Sequence, residues 1–346
     1  MTESIEPPHI ADPFANRRRW AAPVVGLLLV AVAWGALSLG AVSIPAGEVL
    51  GVLTHKLGIS VFSEPSTRAE AVVWGLRMPR MLLAFTVGAA LALTGGVLQG
   101  LLRNNLSDPQ LLGIGPGAAI GAAIGSSAGG VQGAIAGGVA AGVVTAFAIR
   151  RLARGASIDP TRIILSGVAL GAALSAWVGF IVFAADRAAV PPIEFWLLGS
   201  LAGSTWRTFG IVLVFVAIAA IALLASARIL DIFLLGEADA RHLGIDVDLV
   251  RTIILISVGA AVGATVGAAG VIAFVGLLVP FIVVRITGPL HRYLLVASLA
   301  GGALFVAAAD LLARLAIQPI EIPVGLVTAA VGGPVFLWLL TRRRDA

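Results

Sequence analysis

The sequence predicts an all-α protein that crosses a membrane about ten times, with both chain termini in the cytoplasm. Its 346 residues are 59% hydrophobic and only 12% charged, and the mean hydropathy is +1.04. A soluble core cannot absorb that much apolar surface. Long uncharged stretches recur at lengths that suit a helix crossing the hydrocarbon of a bilayer. Most of the 23 Lys and Arg residues fall at ends that the ten-span topology places in the cytoplasm, which fits the positive-inside rule.

The N-terminal part of the chain predicts a tail followed by a first span. Residues 1–16 are polar and contain proline, which is typical of a disordered cytoplasmic tail. Three arginines, residues 17–19, precede an apolar run over residues 21–39. A secretory or twin-arginine signal would look similar, but no clear small-residue cleavage site follows and many more spans do. We therefore predict a retained helix, and a single membrane domain over residues 17–346.

The second span is predicted at residues 81–102. Before it, residues 40–76 carry scattered Pro, Gly and charge and should lie outside, with an amphipathic piece around residues 49–57. Pro79 suits the first turn of a helix. A helix that starts there would place Arg77 and Arg80 on one face, at the positive end of the helix dipole.

Small residues recur at every fourth position on both sides of a polar turn. The first row is Gly88, Ala92, Gly96 and Gly100, and the second is Gly113, Gly117, Gly121 and Gly125. Rows of this kind let helices approach closely inside lipid. Residues 103–109 between them are polar and should lie on the cytoplasmic side. The pattern predicts two closely packed helices joined by a compact turn.

The remaining spans are predicted from the length of the apolar stretches and from the helix-breaking residues between them. The later spans are predicted at residues 134–149, 163–184, 209–227, 252–268, 271–286, 293–311 and 324–340. Pro280 should kink or shorten the eighth span. Residues 186–207 should be external, with Trp196 and Trp206 as interfacial aromatics. Residues 228–251 form the one long charged cytoplasmic insert.

Several motifs in a fixed order resemble the type II ABC importer permeases, which take up haem, ferric siderophores and cobalamin. They are R-x-P-R at 77–80, G-x-x-L-x-x-x-G-x-x-x-Q at 88–99, N-x-L-x-D-P at 104–109 and L-L-G-x-x-x-G-A at 111–118. The resemblance runs from about the first span to the C-terminus. It implies a bacterial inner-membrane homodimer with a path along the two-fold axis, two ATPase subunits below and one periplasmic substrate-binding protein above.

The composition argues against an energy source within the chain. Lys56 is the only lysine and does not follow glycine, so a G-x-x-x-x-G-K-[ST] phosphate loop is missing. We expect no cofactor, with ATP bound by a partner subunit. Asp310 is the only acidic residue inside a predicted span, which disfavours an ion-coupled secondary transporter. A membrane-embedded enzyme is disfavoured because no nucleophile, base or metal-ligand cluster is evident.

Metal and nucleic-acid binding are not expected either. The chain has no cysteine, which excludes thiolate metal sites and redox motifs. His9, His55, His242 and His291 lie in predicted tails or loops at no metal-ligand spacing, and we interpret them as exposed histidines. The calculated pI is about 11.0, but the basic residues form no continuous stripe that would bind nucleic acid.

The cytoplasmic insert supplies a candidate contact with the ATPase. Residues 235–244 read as a short amphipathic helix that Gly244 ends. The resemblance implies that this segment is the coupling helix, with its motif at Gly236, Glu237, Ala240, Leu243 and Gly244. The alternative is an ordinary solvated loop helix.

Three outer arginines are candidates for docking. Positive charge outside opposes the topological bias, and the resemblance implies that Arg77, Arg80 and Arg314 bind glutamates of the binding protein. The alternatives are lipid-headgroup anchoring or, for Arg314, a pair with Asp310 four residues earlier.

The path is predicted from the inner turn. The resemblance implies an inner constriction at Asn104 and Leu106, joined by the loop from Ser157 to Thr161. The chain departs from the family there, since Asn-Asn-Leu-Ser replaces Asn-Pro-Leu-Ala, and again where Phe281 follows Pro280 in place of histidine. Gln99 faces either the path or a neighbouring helix.

The cargo is the least constrained prediction. Residues 276–314 look closest to haem permeases, which favours haem slightly over cobalamin or a ferric siderophore. The path chemistry suits a large chelate rather than a naked ion held by ligands.

Overall fold

The computed structural model describes residues 12–59, 64–153, 160–184, 197–318 and 320–341, and these residues contain helices and no β-strand. In chain order the helices are α1 (Ala15–Ser38), α2 (Ala46–Lys56), α3 (Thr67–Glu70), a π-helical segment (Ala71–Arg77), α4 (Met78–Leu102), α5 (Ile114–Leu152), α6 (Pro160–Ala184), α7 (Trp206–Ala225), α8 (Ala227–Phe233), α9 (Glu237–His242), α10 (Val247–Ala269), α11 (Val275–Thr287), α12 (His291–Leu315) and α13 (Val324–Thr341).

Helix α5 is a hairpin of two antiparallel helices. Gly129 and Gly130 depart from helical geometry, and Gly130 has a φ of 56°, which a residue with a side chain rarely adopts. A Cβ at Gly125 would overlap the carbonyl oxygen of Gly133, and one at Gly121 would overlap that of Gly137. Among the described residues, the hairpin adds a crossing to seven long apolar runs, and the shorter apolar helices α11 and α13 bring the total to ten. The all-α class is confirmed, and these helices fit the predicted ten spans.

The rows of small residues make close helix contacts, but with partners that the sequence did not indicate. Gly88 of the first row packs on Gly302 of α12, and Gly95, beside that row, packs on Gly276 of α11, so that a Cβ on either would overlap a backbone carbonyl. In the second row, the glycines after Gly113 close the α5 hairpin, whereas Gly113 itself packs on α6. Helix α4 is therefore the centre of the bundle. In the helical run from Thr67 to Leu102, 78% of the residues in an apolar 18-residue stretch are buried, whereas in α1 only 11% of such a stretch is buried.

The helix that contains Arg77 and Arg80 begins earlier than predicted. The hydroxyl of Ser66 accepts from the amide of Ala69, and the helical run then continues from Thr67 to Leu102. Pro79 cannot donate a backbone hydrogen bond. The π-helical turn before it accommodates the proline, and the amide of Met78 donates to the carbonyl of Val73. The two arginines therefore do not lie at a helix start, and the helix-dipole argument for them is wrong.

The N-terminal boundary also differs from the prediction. Residues 1–11 lie outside the described residues, so most of the predicted tail is not tested. Helix α1 already begins at Ala15, and the ring of Phe14 lies against Gly288 at the end of α11. On the outer side, Trp196 lies outside the described part, whereas Trp206 donates to the carbonyl of Trp74 at 3.0 Å.

Candidate functional site

Two of the three outer arginines, Arg80 and Arg314, converge on carboxylates in an outer cluster, which we define as Arg77, Arg80, Asp310, Arg314 and Glu321. The guanidinium of Arg80 donates to Asp310 Oδ1 from Nη2 at 2.9 Å and to Glu321 Oε2 from Nη1 at 2.8 Å. Arg314 Nε lies 3.4 Å from Asp310 Oδ2, four residues away on α12. The cluster joins α4, α12 and the segment before α13, so the alternative interpretation of Arg314 as an intrahelical partner of Asp310 describes a real contact.

Arg77 is held by backbone rather than by a carboxylate. Its Nη1 donates to the carbonyl of Leu37 at 2.6 Å, and its Nη2 donates to that of Val42. Gly40 lets this side chain pass, because a Cβ there would meet the guanidinium. Arg77 therefore fastens the central helical run to the end of α1.

A cavity of about 280 Å³ opens beside the outer cluster. Arg77, Arg80, Arg314 and Glu321 line it, together with Gln318 and apolar residues. Three guanidinium groups and two carboxylates leave the cluster with one surplus positive charge. The three arginines are directed into the protein, so a carboxylate from a partner would have to enter this cavity to reach them.

The polar turn after α4 is largely exposed over residues 103–106 and buried over residues 107–109. Arg103 ends α4 with a left-handed φ of 48°, and the side chain of Asn104 accepts from the amide of Leu106 at 2.9 Å. Further on, Gly113 packs on Gly171 of α6. Gly171 lies eleven residues past the start of α6, which is about 16 Å along the helix.

Burial of this turn changes the chemistry of Asp108. Its carboxylate accepts from the amide of Gln110 at 2.7 Å. A Cβ at Gly276 would lie 2.7 Å from the other carboxylate oxygen. Burial raises the pKa of Asp108 to about 6, against two backbone hydrogen bonds that lower it. The side-chain atoms of Gln110 and the hydroxyl of Ser107 are also buried without a hydrogen-bond partner.

The predicted path residues occupy different environments. Leu106 is exposed and Asn104 is half-buried at the inner turn. Thr161 lies exposed at the start of α6, whereas Ser157 lies outside the described residues. Gln99 is buried and donates to the carbonyls of Gly276 and Leu277 at 3.2 and 3.3 Å. Of its two interpretations, the structure shows the helix–helix hydrogen bond.

The cytoplasmic insert contains the predicted short helix, α9. Gly244 has a φ of 79°, its amide donates to Arg241, and the amide of Ile245 donates to Ala240. This is a Schellman ending, which glycine favours. Ala240 is fully buried against the chain, whereas Leu235 and Leu243 are 72% and 65% exposed. One side of the segment is thus anchored, and the other presents leucines without a described partner.

One residue pair at the inner side escaped the sequence analysis. His291 is buried, not exposed as predicted, and its Nδ1 lies 2.8 Å from Asp231 Oδ1. The backbone amide of His291 donates to the same oxygen at 2.8 Å. The imidazole lies against Gly100 of α4. Asp231, an isolated acid in the apolar stretch of α8, was the one available signal.

Metal ligands do not cluster in the described part of the chain, where no group of three His, Cys, Asp or Glu side chains could hold an ion. The ordered features are instead helix contacts, a charged outer cavity and a short helix held outside the bundle. The described crossings arranged around α4, with such a helix beside them, define a polytopic integral membrane protein.

Comparison with known proteins makes this assignment specific. Residues 27–342 match the FecCD transport family, and the chain belongs to that family. It is similar to the vitamin B12 import system permease protein BtuC of Vibrio cholerae, with 37% identity over 86% of this chain and 91% of the relative. It is also similar to the hemin transport system permease protein HmuU of Yersinia pestis, with 34% identity over 92% of this chain and 94% of the relative.

A solved structure supports the same family. It is described as a metal-chelate type ABC transporter in an inward-facing conformation. The similarity has a TM-score of 0.81 at 28% sequence identity and covers 94% of this chain and 99% of that chain. The chain is therefore an ABC importer permease of the FecCD family and a multi-pass membrane protein.

Proposed function

We propose that this permease forms the membrane path of an ATP-driven importer in the bacterial inner membrane and receives a metal chelate from a periplasmic binding protein. The observation that carries the proposal is the cytoplasmic segment around α9. Its buried Ala240 fixes it to the permease, while Leu235 and Leu243 face outward. Exposed leucines next to a firmly held helix suit a groove on a partner protein. That partner would be the ATPase.

The ATPase contact is tested by changing the exposed leucines. In the variant Leu235→Asp with Leu243→Asp, we expect capture of the ATPase subunit by the purified permease to fall at least about tenfold, because two apolar anchors are replaced by charges. The matched control is Leu57→Asp, which changes a 75% exposed leucine at the end of α2. Unchanged capture by the double variant would show that the segment is a solvated loop helix.

The permease alone should not hydrolyse ATP, because its sequence lacks a phosphate-cradling loop. Hydrolysis should begin when the ATPase subunit is added. Robust activity in a preparation shown by mass spectrometry to be free of that subunit would contradict the proposal.

Docking of the binding protein is proposed at the outer cavity. A carboxylate entering it would meet the surplus positive charge, and Arg77 is the arginine that has no carboxylate partner among the described residues. In Arg77→Gln, we expect weaker docking and a smaller dependence of affinity on salt. Arg207→Gln, at an exposed outer position of α7, is the matched control. Equal effects of both changes would indicate a general attraction rather than docking at the cavity.

Haem and cobalamin are the two candidate cargoes. The resemblance of residues 276–314 to haem permeases supports haem, whereas relatives named for vitamin B12 and for hemin are similarly close, at 37% and 34% identity. The deciding experiment supplies both compounds at equal concentration to vesicles that contain the permease, its ATPase and its binding protein. ATP-dependent accumulation of haem supports the haem proposal. Uptake of cobalamin without uptake of haem would contradict the haem proposal and support cobalamin as the cargo.

We also propose that two copies of the permease enclose the path. The aromatic residues Trp177, Phe180 and Phe183 of α6 are exposed in the single chain and are available to lipid or to a second copy. The mass of the complex in detergent, with the bound lipid subtracted, distinguishes one copy from two.

A further inference from the structure

An apolar groove of about 520 Å³ runs between α1 and α12. Ala22, Gly26 and Leu29 of α1 form one wall, and Val296 and Ala300 of α12 form the other. A Cβ at Gly26 would meet nothing within 4 Å, so the space beside it is open. Because α1 is the least buried of the long spans in the described chain, the groove lies at the edge of the bundle.

Cationic and aromatic side chains stand at the mouth of this groove. Arg18 and Arg292 both lie against Tyr293, with their Cζ atoms 3.8 and 4.6 Å from the ring centroid. Arg17 donates to the backbone carbonyl of Arg285 at 3.2 Å, which places Arg17 near the same end, whereas the guanidinium of Arg285 lies over Phe281. Cation–π contacts hold a guanidinium in place and leave its edge free for an anion.

Arg18 has an unused donor at this position. Its Nη2 is paired with Asp12, but its Nη1 is buried and has no hydrogen-bond partner among the described residues. A buried donor of this kind carries a free-energy cost that an acceptor would remove. The arginines at this end are Arg17, Arg18 and Arg292, and the structure pairs Asp12 with one of them, Arg18. An anion is therefore the complementary ligand.

The dimensions of the groove match one leaflet of a bilayer. Arg18 and Leu29 are eleven residues apart on α1, which is about 16 Å along a helix. Half of the hydrocarbon core measures about 15 Å. The positive-inside assignment puts the N-terminal ends of α1 and α12 on the cytoplasmic side. A headgroup at the arginines would thus have an acyl chain of the same leaflet along the groove.

We propose that this groove binds one anionic phospholipid of the cytoplasmic leaflet. The phosphate accepts from Arg18 and Arg292, and the acyl chain lies along Gly26, Leu29 and Val296. Basic pockets between membrane helices on the cytoplasmic side are suited to acidic lipid headgroups. The lipid holds the peripheral helix α1 against α12.

The test is a lipid titration of the purified full chain, followed by native mass spectrometry. Phosphatidylglycerol and phosphatidylcholine with identical acyl chains are the probes. We expect one phosphatidylglycerol to bind more tightly than phosphatidylcholine. In Arg18→Gln with Arg292→Gln, its affinity should fall by about fivefold for each arginine, while phosphatidylcholine binding is unchanged. Arg228→Gln, an exposed arginine in α8, is the matched control.

A second variant tests the acyl chain separately. Gly26→Leu fills the open space without touching an arginine, and it should displace the same lipid. Gly210→Leu is its control, because a Cβ at Gly210 also meets nothing within 4 Å. Both variants should retain the thermal unfolding temperature of the lipid-free wild type, which excludes misfolding as the cause of lost binding.

Three results would overturn the proposal. The first is equal binding of the two lipids by the wild type. The second is full phosphatidylglycerol affinity in both the double arginine variant and Gly26→Leu. The third is a Gly26→Leu chain that keeps its lipid but loses a second copy of the permease, which would assign the groove to contacts between chains.

Discussion

The two ends of α12 are tied to the rest of the permease in contrasting ways. At the outer end, Asp310 forms ion pairs with Arg80 and Arg314, and Arg80 also pairs with Glu321. At the inner end, His291 is joined to Asp231 of α8. The outer contact connects several elements through charges that are nearly all buried. The inner contact connects one helix to the short segment that precedes α9.

This contrast indicates where the permease can move at low cost. Separating the outer cluster would leave cations buried without their carboxylates, which is costly in a low dielectric. Separating His291 from Asp231 breaks two hydrogen bonds to one carboxylate oxygen, and the Asp231 carboxylate is already partly exposed. We infer that the outer end is held rigid while the inner end can follow the segment around α9.

Asp310→Asn is expected to have the largest effect. It removes the carboxylate that two buried arginines share, so unfolding should become easier by about 3–5 kcal/mol. Thermal unfolding in detergent measures this. Glu321→Gln is the matched control: because Glu321 is half exposed, its loss should cost only about 0–1 kcal/mol. Similar stability of the two variants would contradict the inference that the outer end is held rigid.

Asp108→Asn should have a smaller effect with the opposite sign. Asp108 is a second buried carboxylate beside Asp310, in the inner half, and none of the ion pairs among the described residues includes it. Since burial raises its pKa to about 6, the wild type loses stability as the pH rises from about 4 through 6. The variant lacks that loss and should be more stable above pH 6 by on the order of 2–3 kcal/mol.

The pH dependence is the control for this prediction. Unfolding temperatures of the two proteins should converge at about pH 3, where Asp108 is mostly protonated in both the folded and the unfolded state, because that pH lies below the ordinary pKa of 3.8. A difference that does not change between pH 4 and pH 8 would mean that the charge of Asp108 is not its source.

His291→Ala should change stability least, by about 1 kcal/mol for the lost hydrogen bond. It should, however, weaken the coupling between ATP hydrolysis and transport. Without the pair, motion of α8 reaches α12 less directly, so less cargo should be moved per ATP hydrolysed in vesicles. His55→Ala, at an exposed histidine of α2, is the control. An unchanged ratio of transport to hydrolysis would confine the pair to a structural role.

Much of the architecture was predictable because its causes are local in sequence. Apolar length located the ten crossings, and Gly244 marked the end of α9 by its tolerance of a left-handed backbone. The rows that include Gly88 and Gly121 correctly indicated close helix contacts. These signals depend on the residue type and on positions a few residues away, so a single sequence contains them.

The partners in those contacts were decided only by the tertiary structure. Arg80 and Asp310 are 230 residues apart, and His291 and Asp231 are 60 apart, so no periodicity links them. The early start of the helix at Thr67 depended on a π-helical turn that accommodates Pro79. The sequence determined that the turn after α4 is polar. Packing against α6 and α11 decided that Asp108 is buried, because burial is a property of what surrounds a residue and not of the residue itself.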